Sequence, residues 1–324
     1  MTREKFWTFV SLALAVLSVE ASAADQYPSR PITLIVPMPA GGGVDALARM
    51  VGDKLSAALN QQIVIDNRPG GGGNIGTRAV AKAEPDGYTL LLGHTGTISI
   101  NPSLYANAGY DSRKDFAPVG LIAQMPVVLL THPSVPVKSV PDLIALAKKE
   151  PGKLNIGTST IGSGGYLSAQ LFKSMACVDM TIVPYKGTAP LASDLVGGHV
   201  PVAFNMLSPT LGNIRAGNLR ALAVASATRT ALLPDVPTVA ESGLPDFEAV
   251  LHYGLLAPVG TPRFIVDRLN KELRTAVNSE DVRKRIASEG GDPLASTPEE
   301  FAADIDREEA KWAALVRRLG LKVE

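Results

Sequence analysis

"ITLIVPMPAGGGVDALARM", residues 32–50, sets an apolar, β-branched run against three glycines and then a segment with helical spacing. A buried strand, a bare loop and a helix from about Val44 to Leu59 is the natural reading, and it is the repeating unit of an α/β fold. The pattern recurs along the chain. "QQIVID", "YTLLLG", "LNIGT", "TIVPY", "VPVAF" and "LRALAVA" read as further buried strands. Between them, "VPDLIALAKKE", "YLSAQLFKSMA" and "LASDLVGG" read as helices. Alternation of this kind predicts a mainly parallel sheet covered on both faces. The C-terminal part is more purely helical. Thr261-Pro262 predicts an N-cap followed by Pro at the first helical position, and Thr297 with Glu300 predicts a capping box. Phe301, Ile305, Trp312, Leu315 and Val316 fall on one face of that last helix, which Gly320 ends.

The first residues point to export. Arg3 and Lys5 precede an apolar stretch from Phe6 to Val19, and Ala21-Ser22-Ala23 supplies small residues for cleavage. The stretch is shorter than the roughly 20 residues that span a bilayer. A leader over residues 1–23, removed after Ala23, places the mature chain in the periplasm. The 324-residue chain carries 31 basic and 31 acidic residues, and removal of the leader keeps the balance. Neutrality argues against nucleic acid, which needs clustered Lys and Arg, and against an anionic membrane surface. "VGLIAQMPVVLL" is interrupted by Gln124 and Pro126, so direct membrane insertion is not expected. Cys177 is alone, which leaves no internal disulfide; it reads as a small hydrophobe rather than a nucleophile. His94, His132, His199 and His252 show no metal-ligand spacing, and no nucleophile elbow is present.

Two readings compete for the glycine loop. Gly41-Gly42-Gly43-Val44-Asp45-Ala46 fits G-x-G-x-x-A, with Asp66 ending the next strand as a dinucleotide fold would place it. Against that stand Pro37, Pro39, a carboxylate at Asp45 in the first helical turn, and export away from nicotinamide cofactors. The alternative guest is a small carboxylate. Bare amides at a helix start, with about half a positive charge from the helix dipole, hold an acid without any arginine. "GTSTIGSGGYLSAQLFKSM", residues 157–175, repeats the logic in the second half of the chain. Two such helix starts suit a two-lobed clamshell. Asp45 itself either accepts N–H bonds from its own helix start or faces a ligand donor. Thr95 and Thr97, after a strand end, can donate hydroxyl bonds; the glycine run Gly70–Gly73 reads as a flexible rim or close packing point.

"YPSRPITLIVPMPAGGGVDALARMVGDKL", "VIDNRPGGGGNIGTRAVAKAEPDGYTLLLG", "VPYKGTAPLASDLVGGHV" and "YGLLAPVGTP" together resemble the tripartite tricarboxylate transporter solute receptors, also called Bug receptors. The similarity runs from about Tyr27 to the C-terminus. It implies a type II-like periplasmic binding protein of two α/β lobes with a ligand cleft between them, and no enzymatic activity or cofactor. The implied ligand is a small organic acid and the implied partner a two-subunit inner-membrane permease, with a monomer expected. A sensor protein fed by the loaded receptor, or an exported dehydrogenase or esterase using the same cleft, are the rival readings. The resemblance assigns first-lobe contacts to Met38, Ala40, Gly41, Gly42, Gly43, Asp45, Thr95 and Thr97. It assigns second-lobe contacts to Ser159, Thr160, Gly162, Ser163, Gly164, Tyr166, Tyr185 and Asn205. Tyr166 stands where the family often has His, and Asn205 and Pro201 where Asp is common. Loss of a carboxylate at Asn205 disfavours an α-ammonium ligand. Cys177 replaces a frequent Gly at a helix end, which predicts a rearranged cap. Lys186 either meets a ligand charge or lies on the lobe surface. Pro-rich segments near 126–141 and 234–245 mark the expected crossings, giving lobe 1 as 24–125 plus 246–324 and lobe 2 as 126–245.

Overall fold

The computed structural model describes residues 27–324, so the leader expected over residues 1–23 lies outside the described residues. The strands are β1 (Ile32–Val36), β2 (Ile63–Asn67), β3 (Thr89–His94), β4 (Phe116–Thr131), β5 (Asn155–Thr158), β6 (Thr181–Pro184), β7 (Val202–Met206), β8 (Arg220–Val224), β9 (Val250–Pro258) and β10 (Asp292–Pro293). They run across the molecule in the order β2-β1-β3-β9-β4-β7-β5-β6, with β8 and β10 both pairing β4. The fold is that of a two-lobed periplasmic binding protein, an α/β architecture with helices flanking each half of the sheet.

The outer strands are parallel, as strand–helix alternation requires: β1 with β2 and β3, and β5 with β6 and β7. The middle is antiparallel. β9 runs against β3 and β4, and β4 against β7 and β8. The reason lies in β4, a single 16-residue strand that belongs to both lobes. It pairs β9 as far as Pro126↔Val250 and then pairs β7 from Val127↔Met206. Pro126, which cannot donate to a ladder, stands where the strand changes partners, a position central strands otherwise deny to proline. The chain returns beside it: Ala225 donates to Val127 O at 2.8 Å and Ala249 to Ala225 O at 2.7 Å. The segment around 234–245 packs beside β8 through Val224↔Thr238, and Ala249 leads directly into β9 at Val250.

The core follows the apolar periodicity. Ile32, Leu34 and Val36 face Leu47, Val51 and Leu55 of the Gly43–Leu59 helix. In the second lobe Phe172 meets Phe204 edge-on at 5.9 Å, and Phe204 stacks on Phe247 at 6.1 Å. The Pro298–Leu319 helix starts with the capping box: Thr297 N–H donates to Glu300 at 2.8 Å and Glu300 N–H to Thr297 Oγ1 at 3.2 Å. It buries Phe301, Ile305, Trp312, Leu315 and Val316 and ends at Gly320 with φ +60°. Two local expectations need correction. The Arg263–Asn278 helix is capped by Pro262, because the Thr261 hydroxyl turns away to donate to Pro258 O at 2.8 Å. Cys177 does not rearrange its cap; it takes the left-handed conformation itself, φ +51°, with its N–H on Lys173 O, and it is exposed rather than buried. Among the described residues, no helix is long and apolar enough to cross a membrane.

Candidate ligand-binding site

The first loop leaves β1 at Val36 and turns through Met38 and Ala40 to Gly41, whose φ of +82° only glycine adopts freely. Asn67, at the end of β2, donates to Met38 O at 3.1 Å and holds the turn. The helix that begins at Gly43 has no side-chain cap, and Gly42 ahead of it is extended. Its leading amides therefore keep the orphan donors of a helix start and the positive end of the dipole. They are also accessible. A Cβ at Gly41 or Gly43 would meet nothing within 4 Å, and one at Gly42 only Pro39 O at 3.7 Å.

Asp45 is buried in this turn. Its Oδ2 accepts the Gly41 N–H at 2.9 Å and Arg49 Nε at 3.0 Å. Burial pushes its pKa up, but hydrogen bonds from Arg49, Gly41 and Asn67 outweigh it and hold the carboxyl below the ordinary range. The Arg49 guanidinium also neutralises a charge that would otherwise oppose an anion at the helix tip. Oδ2 thus organises its own loop, while Oδ1 is buried without a hydrogen-bond partner.

The segment after β3 is a helical turn over Gly96–Ile100 running into Asn101–Leu104. That winding turns the two threonine hydroxyls inward. Thr95 Oγ1 accepts the His252 N–H at 2.8 Å, and Thr97 Oγ1 donates to His94 O at 3.1 Å. Both are buried; the Thr97 proton goes to His94 O, and the Thr95 proton has only a long 3.5 Å contact with His252 O. His94 accepts the Gly96 N–H on Nδ1 at 3.0 Å, which places its proton on Nε2, a buried atom without a hydrogen-bond partner. Burial pushes its pKa down to about 4, so the ring is neutral. The glycine run lies against this segment, since a Cβ at Gly73 would meet Thr97 and Pro37. It is a close packing point.

In the second lobe the loop after β5 is closed by Ser163. Its hydroxyl donates to Thr160 O at 2.7 Å and accepts Tyr166 N–H at 3.2 Å, capping the Gly164–Ala176 helix. Ser159 O accepts Gly187 N–H at 2.9 Å. Gly162 and Gly164 are buried, and a Cβ at Gly164 would collide with Leu251 of β9. The remaining side chains are held by their own lobe. Tyr166 Oη accepts from Gln170 at 3.1 Å, and Tyr185 donates to Asp194 at 2.8 Å. Asn205 spans Thr188 O at 3.4 Å and Met206 N–H at 2.9 Å. Lys186 is exposed.

The structure brings the second-lobe loop onto the first lobe at Gly96 and Asn101. The residues that form this seam, His94, Gly96 and Asn101, escaped sequence reasoning; the buried His and Asn beside a glycine were its available signal. A hollow of about 120 Å³ lies elsewhere, beside Gln124 and Pro126 of β4, Arg229, Thr230 and Asp292.

A family model for the "tripartite tricarboxylate transporter family receptor" matches residues 47–321. The chain is 36% identical over 326 residues to Protein BugT of Bordetella pertussis, covering 100% of both chains. It is 39% identical over 315 residues to a protein encoded in the tcbD–tcbE intergenic region of Pseudomonas sp. strain P51, covering 97% of this chain and 94% of that one. Among solved structures, Rpa4515 of R. palustris with adipate superimposes with a TM-score of 0.85 at 38% identity, covering 92% of this chain and 100% of that one. MatC from Rhodopseudomonas palustris with bound malate gives 0.81 at 34% identity, with coverage of 90% and 100%.

Proposed function

The chain belongs to the tripartite tricarboxylate transporter receptor family, and from that membership we propose that it is a periplasmic receptor for a small carboxylate. It holds the acid between its lobes and delivers it to a two-subunit inner-membrane permease. The observation that carries this reading is the uncapped helix start at Gly42–Gly43, open to solvent and flanked by a neutralised Asp45. Amides at such a tip accept a carboxylate with no guanidinium in contact. The Gly164 helix start is capped by Ser163 and covered by Leu251, so the second lobe adds no comparably open tip.

Opening occurs about the two chain passes at Pro126 and Ala249–Val250, with lobe 1 formed by 27–125 and 250–324 and lobe 2 by 126–249, a hinge motion. The relatives with adipate and malate carry dicarboxylates, and that class suits this chain. An α-ammonium would lack an acidic partner, because Asp45 is buried and paired with Arg49 and position 205 is an amide. The reading therefore assigns a di-acid or aromatic acid without an α-ammonium, and no chemical step.

Native mass spectrometry of the purified protein should show a small acid that is released unchanged on denaturation. Calorimetry with adipate, malate, aspartate and glutamate should then rank the non-amino acids first. Tighter binding of aspartate or glutamate would refute the ligand class, and consumption of the acid would refute the receptor.

A further inference from the structure

Gly162 of the second lobe sits directly on Asn101 of the first. Its φ is +78°, and a Cβ there would stand 2.9 Å from Asn101 Oδ1, 3.6 Å from Leu104 and 3.8 Å from the Tyr105 ring. Gly96 completes the contact, since its own Cβ would lie 2.9 Å from Gly162 O. Glycine on both sides lets the two backbones approach where any side chain would hold them apart.

Asn101 is fully buried, and its orientation is fixed from within lobe 1. Nδ2 donates to Gly72 O at 3.0 Å and to Asn74 Oδ1 at 2.8 Å. Gly72 O is a backbone carbonyl and can only accept, so the amide cannot flip. The carbonyl end must then point at the seam, where Oδ1 is buried with no hydrogen-bond donor. When the lobes are apart this oxygen is hydrated. Closing strips the water and supplies only the Cα–H of a glycine, a weak substitute.

We propose that the Asn101–Gly162 contact is a built-in penalty on lobe closure, which holds the unliganded receptor open and limits the lifetime of the loaded one. The proposal rests on the reading that the lobes open and close. Ligand contacts must exceed this cost before the closed form dominates, so the affinity of the receptor is set partly by a residue that need not touch the ligand. The other bonds of Asn101 lie within lobe 1 and are the same in both forms. Losing them lowers folding stability without biasing the equilibrium.

The test is the distribution of distances between spin labels placed on the outer surfaces of the two lobes, measured on the full chain without ligand and with adipate. Asn101→Ala should raise the closed-to-open ratio of the ligand-free protein by about tenfold, the scale of one stranded buried acceptor. Gly162→Ala, which collides with Oδ1 and strains φ, should lower the ratio, and by less in the Asn101→Ala background. An unchanged ratio in Asn101→Ala, or additive effects of the two substitutions, would overturn the proposal while leaving the receptor reading intact. A single distance in wild type that neither adipate nor any substitution moves would remove both the hinge and the penalty. If Asn101→Ala does not fold, Gly162→Ala alone decides: a ratio no lower than wild type overturns the contact.

Discussion

Asp45 reaches back four residues to accept the Gly41 N–H at 2.9 Å, while its other neighbour, Arg49, sits one helical turn ahead at 3.0 Å. The glycine loop is thereby fastened to the helix it precedes. Two substitutions three residues apart should then fail in different ways. Asp45→Ala removes the fastening and should cost about 1–2 kcal/mol of stability in denaturant unfolding. Gly42→Val should leave unfolding nearly unchanged, since only Pro39 O lies near the new side chain, yet abolish acid binding in calorimetry by covering the amides. Normal binding by Gly42→Val would put the first loop outside the site.

His94 predicts a pH dependence with a definite sign. Its folded pKa is lowered from 6.5 to about 4, so between those values the unfolded chain binds a proton that the folded chain refuses. Stability is complete above pH 6.5 and declines as pH falls toward 4, by on the order of 3 kcal/mol from this group. Urea unfolding at stepped pH should show the decline, and His94→Gln should flatten that part of the profile.

Cys177 occupies a left-handed position that costs an L-residue about 1 kcal/mol. It is exposed, so little packing is lost on substitution. Cys177→Gly should therefore raise the melting temperature slightly, with ligand affinity unchanged; a lowered melting temperature would mean the thiol contributes contacts that its exposure does not suggest.

Gly254, in the middle of β9, is covered by the ring of Phe301 from the C-terminal helix. Gly254→Ala drives a methyl into that ring and should cost about 1–3 kcal/mol. Shrinking the ring with Phe301→Leu should recover part of the loss, a coupling that a double-mutant cycle in denaturant measures. Strict additivity would show that the helix shifts instead.

Strand and helix positions were readable because burial on both faces demands continuous apolar runs, as in "ITLIV" and "YTLLLG". The capping box at Thr297 was readable because its bonds are local. The antiparallel middle of the sheet was not. Pro126 reads as a boundary in any window of sequence, and only the pairing shows that β4 continues through it. The first glycine loop could be picked out as bare backbone, but the direction of Thr95 and Thr97 depends on a helical turn that Gly96 hides. Asn101 and Gly162 meet across the molecule, and nothing near either one signals the other.

The strand shared by the two lobes has a consequence for how the chain could be cut. Pro126 and Val250 are rung partners in adjacent antiparallel strands, about 5 Å apart as such partners are. Everything between them is thus an insertion whose two ends emerge side by side. Excising it and joining the stumps with a two-residue hairpin turn would preserve the β4–β9 ladder and the partners of β1, β2 and β3. The first lobe would then become a miniature that keeps the glycine loop and is relieved of its jaw.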